Sequence, residues 1–218
     1  MHQDYIMRMI EQMTGFLMRV VMLRKSGKPQ EAVEQISEAY GRLTGVDGSL
    51  VHALSEEDLI GLLRARGTLD PQRALSLAEL LREEGHAYDD LDQPAAAVPR
   101  YLKALRLYLE MLPDFEEAPS GYDPAALDDL LERLDPADLP PMTFELLLHH
   151  FESSGQFDEA ENVLLAQIDA HDEAPDLVAF GQDFYRRLLL QPDAALVEGG
   201  LPRAEVEDGL AQLDAWSS

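Results

Sequence analysis

The clearest structural signal in the chain is residues 81–108, LREEGHAYDDLDQPAAAVPRYLKALRLY. Apolar residues recur there at spacings of three and four on both sides of a polar break around Asp92, which predicts two helices joined by a turn. In the second helix the small Ala97, the large Tyr101 and the small Ala104 share one face, because they are four and three positions apart. We predict a helical hairpin in which Ala97 lets the two backbones approach closely.

Two further stretches repeat this pattern, residues 16–40, FLMRVVMLRKSGKPQEAVEQISEAY, and residues 144–168, FELLLHHFESSGQFDEAENVLLAQI. Their alanines, Ala32 and Ala160, stand 65 residues before and 63 residues after Ala97. Both separations are close to twice the ~34-residue period of some helical-hairpin repeats. The residues that we predict to form the three hairpin crossings are Gly27, Ala32, Gly85, Tyr88, Ala97, Tyr101, Ala104, Phe151, Gly155 and Ala160.

The central copy resembles the tetratricopeptide repeat. Its Gly85, Tyr88, Ala97, Tyr101 and Ala104 fall at the offsets where that motif has Gly, Tyr, Ala, Phe or Tyr, and Ala. The chain is also similar to small bacterial proteins of unknown function that have helical repeats of this kind, including its N-terminal segment DYIMRMIEQ. The resemblance implies stacked helical hairpins and brings no catalytic activity with it.

The other two copies depart from the motif. The third copy has Leu148 and Gln167 where the motif has small residues, and the first copy lacks the early glycine. The helices expected at 56–66 and 125–134 lie between the copies and do not carry the pattern. The expected fold is therefore all-α, an irregular tetratricopeptide-like stack of helical hairpins, or α-solenoid, with inserted helices.

Capping residues and chain breaks place further boundaries. Ser55 and Asp70 each precede a predicted helix as its N-cap, and Thr143 is expected to cap a third. The helix after Ser55 is expected to end near Arg66. No strand is predicted, because β-branched residues are few and strict alternation is absent. We expect one continuous solenoid in three segments: N-terminal hairpins at 1–113, a linker with a short helix at 114–141, and C-terminal hairpins at 142–218.

The composition argues against several classes of function. With 17 Lys and Arg against 42 Asp and Glu, the net charge is −25, which disfavours nucleic acid and anionic membranes and favours a basic partner. The absence of cysteine excludes disulfides and cysteine nucleophiles and is compatible with the cytoplasm. Charged residues interrupt the apolar N-terminus, and no uncharged run is long enough for a membrane span. We therefore expect a cytoplasmic protein that binds neither nucleic acid nor membrane.

No sequence motif indicates an enzyme, since the P-loop, the dinucleotide fingerprint and the GxSxG elbow are all absent. No cofactor is expected. The resemblance implies a non-enzymatic interaction scaffold, in which the first helix of each hairpin lines a concave groove that holds a peptide or a partner helix. Polar residues on the outward face of those helices are the candidate groove residues: Arg19, Glu84, His149 and Glu152.

An alternative is a metal site. Glu145, His149 and Glu152 are spaced i, i+4 and i+7, so they share one helical face and offer oxygen and imidazole ligands. The chain would then be a metal-binding helical protein or a metal-dependent enzyme. The competing interpretation is a solvated polar edge, because the HExxH spacing is absent. A regulatory domain that holds a small ligand between its helices is a third hypothesis, which no residue pattern selects.

The N-terminal segment is rich in methionine, with six of the eight methionines in the first 22 residues. Methionine packs in cores and also adapts to varied partner surfaces. The apolar stripe is wider than one partner helix needs, so a homodimer through this helix stands beside plain core packing as an interpretation. The interface residues would be Met9, Met13, Met18 and Met22.

Overall fold

A computed structural model gives the fold of residues 2–65, 67–112, 119 and 121–216, with side chains described from residue 12 onward except at residue 65. The described chain is all-α and divides into two compact units, Met1–Leu134 and Asp135–Ser218. The division falls inside the linker predicted at 114–141, and the three-part segmentation stays a prediction. No helix within the described residues is long and apolar enough to cross a bilayer.

The first unit has seven described α-helices and a short antiparallel ladder of two strands. The helices are α1 His2–Lys25, α2 Pro29–Thr44, α3 Gly48–Ala53, α4 Glu56–Leu63, α5 Pro71–Asp89, α6 Pro94–Met111 and α7 Ala125–Leu131. The strands are β1 Arg64–Ala65 and β2 Thr68–Leu69, with Arg64 opposite Leu69. Helix α5 is central, since it packs against α1, α2, α4 and α6.

The second unit has five α-helices. A 3₁₀ turn at Pro136–Asp138 precedes them. They are α8 Pro141–Ser154, α9 Phe157–Ala170, α10 Pro175–Leu188, α11 Asp193–Glu198 and α12 Arg203–Trp216. Helix α9 packs against α8 and α10, and α10 packs against α12.

Three turns between consecutive helices share one backbone geometry. The first helix of each pair ends at a residue with positive φ, of 74°, 57° and 75°: Gly27, Asp92 and Gly155. The next N–H donates to the carbonyl five residues back: Lys28 to Leu23 at 3.0 Å, Gln93 to Tyr88 at 2.9 Å, and Gln156 to Phe151 at 2.9 Å. This is the Schellman ending, which glycine adopts freely and aspartate tolerates. The three copies seen in the sequence therefore turn in the same way.

The predicted crossing residues lie at close helix contacts. Ala32, Ala97 and Ala160 are fully buried. A Cβ atom on Gly85 would lie only 2.4 Å from the ring of Tyr101, so α5 and α6 meet where this glycine stands. Small residues at these positions are what allow the helix axes to approach.

Some predicted boundaries hold and others are wrong. The N-caps at Ser55 and Asp70 are confirmed, since their side chains accept from the N–H groups of Asp58 and Arg73. Thr143 is not a cap: α8 begins at Pro141, and a proline at the first position needs no N–H partner. The helix expected to continue to residue 66 ends instead at Leu63, where the two-residue ladder begins, and residue 66 lies outside the described residues.

Helices α8 and α10 lie side by side and run in the same direction. Near their N-termini the ring centroids of Phe144 and Phe180 are 5.5 Å apart. Near their C-termini Arg187 contacts Glu152 at 2.7 Å. The two contacts follow the same order along both helices, which places the outer faces of α8 and α10 next to one another.

Candidate functional site

A concavity of about 520 Å³ lies between α8 and α10 in the second unit. Its lining combines acidic, basic, aromatic and amide side chains: Glu145, Leu148, His149, Glu152, Ser153, Phe180, Arg187 and Gln191. We call it the α8/α10 cleft. Two of the four predicted groove residues, His149 and Glu152, and all three residues of the metal hypothesis are among these side chains.

The cleft has apolar and ionic parts. Leu148 is buried and Phe180 half-buried, so they give the cleft apolar surface. Arg187 forms a bidentate pair with Glu152, with Nε at 2.8 Å from Oε1 and Nη2 at 2.7 Å from Oε2. The hydrogen bonds from Glu152 raise the pKa of Arg187, so the pair stays charged. A two-point pair of this kind fixes the orientation of both side chains.

Glu145 and His149 stand apart from this pair. Both are exposed on α8, and within the described residues neither makes a hydrogen bond or an ion pair. A carboxylate and an imidazole without intramolecular partners are available to a ligand. The cleft therefore presents one free negative charge and one hydrogen-bonding ring beside an apolar surface.

The same geometry weighs against the metal hypothesis. Both carboxylate oxygens of Glu152 accept hydrogen bonds from Arg187, so they are not free to bind a cation. Across the part of the chain that the structure describes, no three His, Asp or Glu side chains come together as a metal-binding group. Glu145, His149 and Glu152 share a face, as their spacing predicts, but a shared face alone does not converge on one ion.

The prediction that Glu84 faces a groove is wrong. Its side chain is only 1% exposed, enclosed between α5 and the elements around it. Tyr40 Oη donates to Glu84 Oε2 at 2.6 Å, His52 Nε2 lies 2.8 Å from the same oxygen, and Arg100 Nε lies at 3.5 Å. Burial, with Glu84 beside it, holds the pKa of Tyr40 well above its ordinary value, so the tyrosine remains a donor. The four residues form a buried polar cluster.

A second buried cluster surrounds His86 and joins α5 to α7. His86 Nε2 lies 2.9 Å from Asp129 Oδ2, and Arg82 Nη1 donates to the same oxygen at 3.1 Å. Tyr101 Oη lies 3.3 Å from His86 Nδ1. Burial lowers the pKa of His86, although the neighbouring Asp129 opposes that shift. With His86 buried, this cluster is structural and has no open face for a substrate.

The structure separates the four interface methionines. Met18 and Met22 are 63% and 66% exposed, whereas Met13 is half-buried against the first unit. The side chain of Met9 lies outside the described residues. Arg19, the remaining groove candidate, is exposed on the same helix, with its guanidinium 5.7 Å from the centre of the Phe16 ring.

Sequence reasoning missed the half of the cleft that α10 contributes. Phe180, Arg187 and Gln191 lie outside the three recognised copies, because no alanine pattern follows α10. A usable signal exists in the spacing: Phe180 and Arg187 follow their contacts on α8 by 36 and 35 residues. These separations are near the ~34-residue repeat period.

Comparison with known proteins places the chain in a family. The model of the DUF6483 family, described as a family of unknown function, matches residues 1–217, and the chain belongs to that family. No curated protein and no solved structure matches the chain. The family carries no function to transfer, so the function must be argued from the cleft itself.

Proposed function

We propose that the chain is a non-enzymatic interaction scaffold of tetratricopeptide-like form that binds a peptide segment in the α8/α10 cleft. The observation that carries the proposal is the cleft's composition: a free carboxylate on Glu145 beside the apolar surface of Leu148 and Phe180. A peptide with a basic side chain next to a large apolar one complements both parts. The lack of cysteine is compatible with a cytoplasmic setting.

The arrangement of the helices supports a groove of the repeat type. In a stack of hairpins the first helices lie next to one another and line one face. Helices α8 and α10 meet this description, since they run in the same direction with contacts offset by 35 and 36 residues. The shared Schellman endings at Gly27, Asp92 and Gly155 support the same view of the repeats. We infer an irregular solenoid whose second unit carries the binding face.

The chemistry of the cleft supports a basic partner. Arg187 is neutralised by Glu152, so Glu145 leaves the cleft with a net negative charge at neutral pH. The whole chain carries −25, which attracts a cationic segment from a distance. A Lys or Arg paired with Glu145 and an apolar side chain on Phe180 would satisfy both parts of the site.

The cleft lacks an evident nucleophile. Its hydroxyl group, on Ser153, donates to the backbone carbonyl of His150 at 3.0 Å. A serine used in this way is not activated by a neighbouring base. This supports binding rather than covalent chemistry as the function of the cleft.

The proposal is tested with a displayed library of random 12-residue peptides selected on the purified protein. We expect the selected peptides to combine Lys or Arg with a large apolar residue. We expect Glu145→Arg to lower the affinity of a selected peptide by about 10-fold or more, because it replaces attraction by repulsion at the centre of the site.

The matched control is Glu207→Arg, which makes the same charge change at an exposed glutamate of α12, outside the cleft lining. Its effect on affinity should be less than about threefold, as expected for a charge distant from the contact. Equal losses in the two variants would show that the peptides respond only to overall charge. Selected peptides without basic residues would also count against the proposal.

A further inference from the structure

Helix α1 is apolar but poorly covered. Of its side chains from residue 12 to residue 25, only Val20 is fully buried. Its packing partners are α2 and α5, which cover one side of the helix. Near its C-terminus Arg24 is held by Glu83 at 2.6 Å and Asp90 at 2.9 Å, so the helix is fixed to α5 there. The opposite side exposes Met18 and Met22.

The exposed methionines belong to a longer stripe. Residues at intervals of three and four fall on one face of a helix. Extended along α1 in both directions, the face of Met18 and Met22 takes in a stripe of seven positions: Asp4, Met7, Glu11, Thr14, Met18, Met22 and Lys25. Thr14, Met18, Met22 and Lys25 are all exposed, in agreement with this register.

The stripe is complementary to itself when reversed. Its N-terminal part carries Asp4 and Glu11, and its C-terminal end carries Lys25. Two copies of α1 packed antiparallel, with position 4 opposite position 25, place position 7 opposite position 22. Acidic positions then face basic ones at both ends, and methionine faces methionine inside them. A parallel pairing would instead place like charges together at each end.

We infer that α1 is an isologous interface, which pairs antiparallel with α1 of a second copy of the chain about a twofold axis near residues 14 and 15. Small residues suit that crossing: a Cβ atom on Gly15 would meet only the Arg19 side chain, at 3.8 Å. Methionine at positions 18 and 22 fills the space on either side of the axis. The inference goes beyond the peptide-binding proposal, and the two stand on different units of the chain.

The oligomeric state tests the interface directly. We expect sedimentation equilibrium to show a dimer at tens of micromolar for the wild type. Met18→Glu should raise the dimer dissociation constant about 10-fold or more, since it buries a charge at the interface. The control is Met142→Glu, the same change at an exposed methionine of the second unit, which should leave the constant unchanged. A wild type that stays monomeric at several hundred micromolar overturns the inference.

Charge reversal tests the antiparallel pairing. Lys25→Asp alone should weaken the dimer, because two acidic ends then face one another. Adding Asp4→Lys to the same chain restores opposite charges at both ends and should recover most of the lost affinity. An additive loss in the double variant would contradict the antiparallel pairing. Circular dichroism of each variant confirms that the helix content is unchanged.

Cysteine crosslinking tests the position of the axis, and the natural chain has no cysteine to interfere. Thr14→Cys lies next to the axis, so oxidation should join two copies by a disulfide. Met22→Cys should not crosslink, because residue 22 of one copy lies opposite residue 7 of the other, about 22 Å along the helix from its own counterpart. Efficient crosslinking at residue 22 without crosslinking at residue 14 would indicate a parallel pair and overturn the inference.

Discussion

Helices α1 and α5 differ in a direction opposite to their sequences. Helix α5 contains a run of charged and polar residues, REEGH, yet twelve of its nineteen residues are buried, among them Glu83, Glu84 and His86. Helix α1 carries five of the chain's eight methionines, yet only Val20 is buried among its described side chains. Composition alone would have assigned the two helices to the opposite environments.

The difference shows that position in the topology decides burial. Helix α5 touches four other helices, so its polar residues are enclosed whatever their chemistry. They are tolerated because each finds a partner of opposite charge or a hydrogen bond, as Glu84 does with Tyr40 and His52. Helix α1 has neighbours on one side only, so its excess of apolar surface is left for another molecule.

The sharpest way to break this contrast is Glu84→Ala. The change removes the shared acceptor of Tyr40, His52 and Arg100 and leaves a buried guanidinium without its partner. We expect the free energy of unfolding to fall by about 3–5 kcal/mol in urea denaturation. Glu38→Ala, at an exposed glutamate on α2, is the control and should change it by less than about 0.5 kcal/mol. A loss below about 1 kcal/mol in the Glu84 variant would mean that the cluster is not held as the structure shows.

A methyl group placed at the centre of the α5/α6 crossing gives the next largest effect. Gly85→Ala brings a Cβ within 2.4 Å of the buried Tyr101 ring, so we expect a loss of about 1–3 kcal/mol. Gly61→Ala is the matched control, because nothing lies within 4 Å of a Cβ there and the residue is inside α4. That substitution should stabilise by about 0.5–1 kcal/mol through its higher helix propensity. Thermal unfolding of both variants should therefore show shifts of opposite sign.

Acidification should weaken α5 through His86. Burial lowers its native pKa below the ordinary value of 6.5, so the unfolded chain takes up a proton before the native protein does. The free energy of unfolding then falls as the pH drops below about 6.5, and the loss ends below the native pKa. One proton limits the slope to about 1.4 kcal/mol per pH unit.

The pH dependence is measured by urea denaturation between pH 7.5 and 5, with His86→Gln and the exposed His149→Gln as a pair. The first variant should flatten the profile and the second should leave it like the wild type. The charged and titratable groups that face His86 are Arg24, Arg82, Glu83, Tyr101, Asp129 and Arg133. Parallel profiles for wild type and His86→Gln would assign the dependence to those groups instead.

The local pattern of the sequence was enough to predict the hairpins and their closest contacts. Alanine spacing located α1/α2, α5/α6 and α8/α9, because small residues at a crossing leave a trace at fixed offsets. The six-residue helices α3 and α11 were not predicted, since two turns of helix hold too few residues for a periodic pattern. Helical periodicity therefore predicts the long helices but not the short inserts between them.

Long-range contacts left no such trace. The carbonyl of Gly199 accepts from the N–H groups of Phe157 and Asp158 at 3.0 and 3.1 Å, so a residue 42 positions away caps α9. The burial of Glu84 likewise depends on His52 and Arg100, which lie on other helices. The cleft was half predicted for the same reason: α8 gave residues on one face, and only the fold brought α10 beside them.

The smallest expected effect belongs to the exposed face of α1. In dilute protein Met18→Gln with Met22→Gln should change the free energy of unfolding by less than about 0.5 kcal/mol, because neither side chain packs in the monomer. The melting temperature should behave differently at high concentration. If the native chain pairs through this face, mass action raises the wild-type melting temperature with concentration, and the double variant loses that dependence. A large loss in dilute solution would instead show that α1 is part of the core, and the contrast with α5 would disappear.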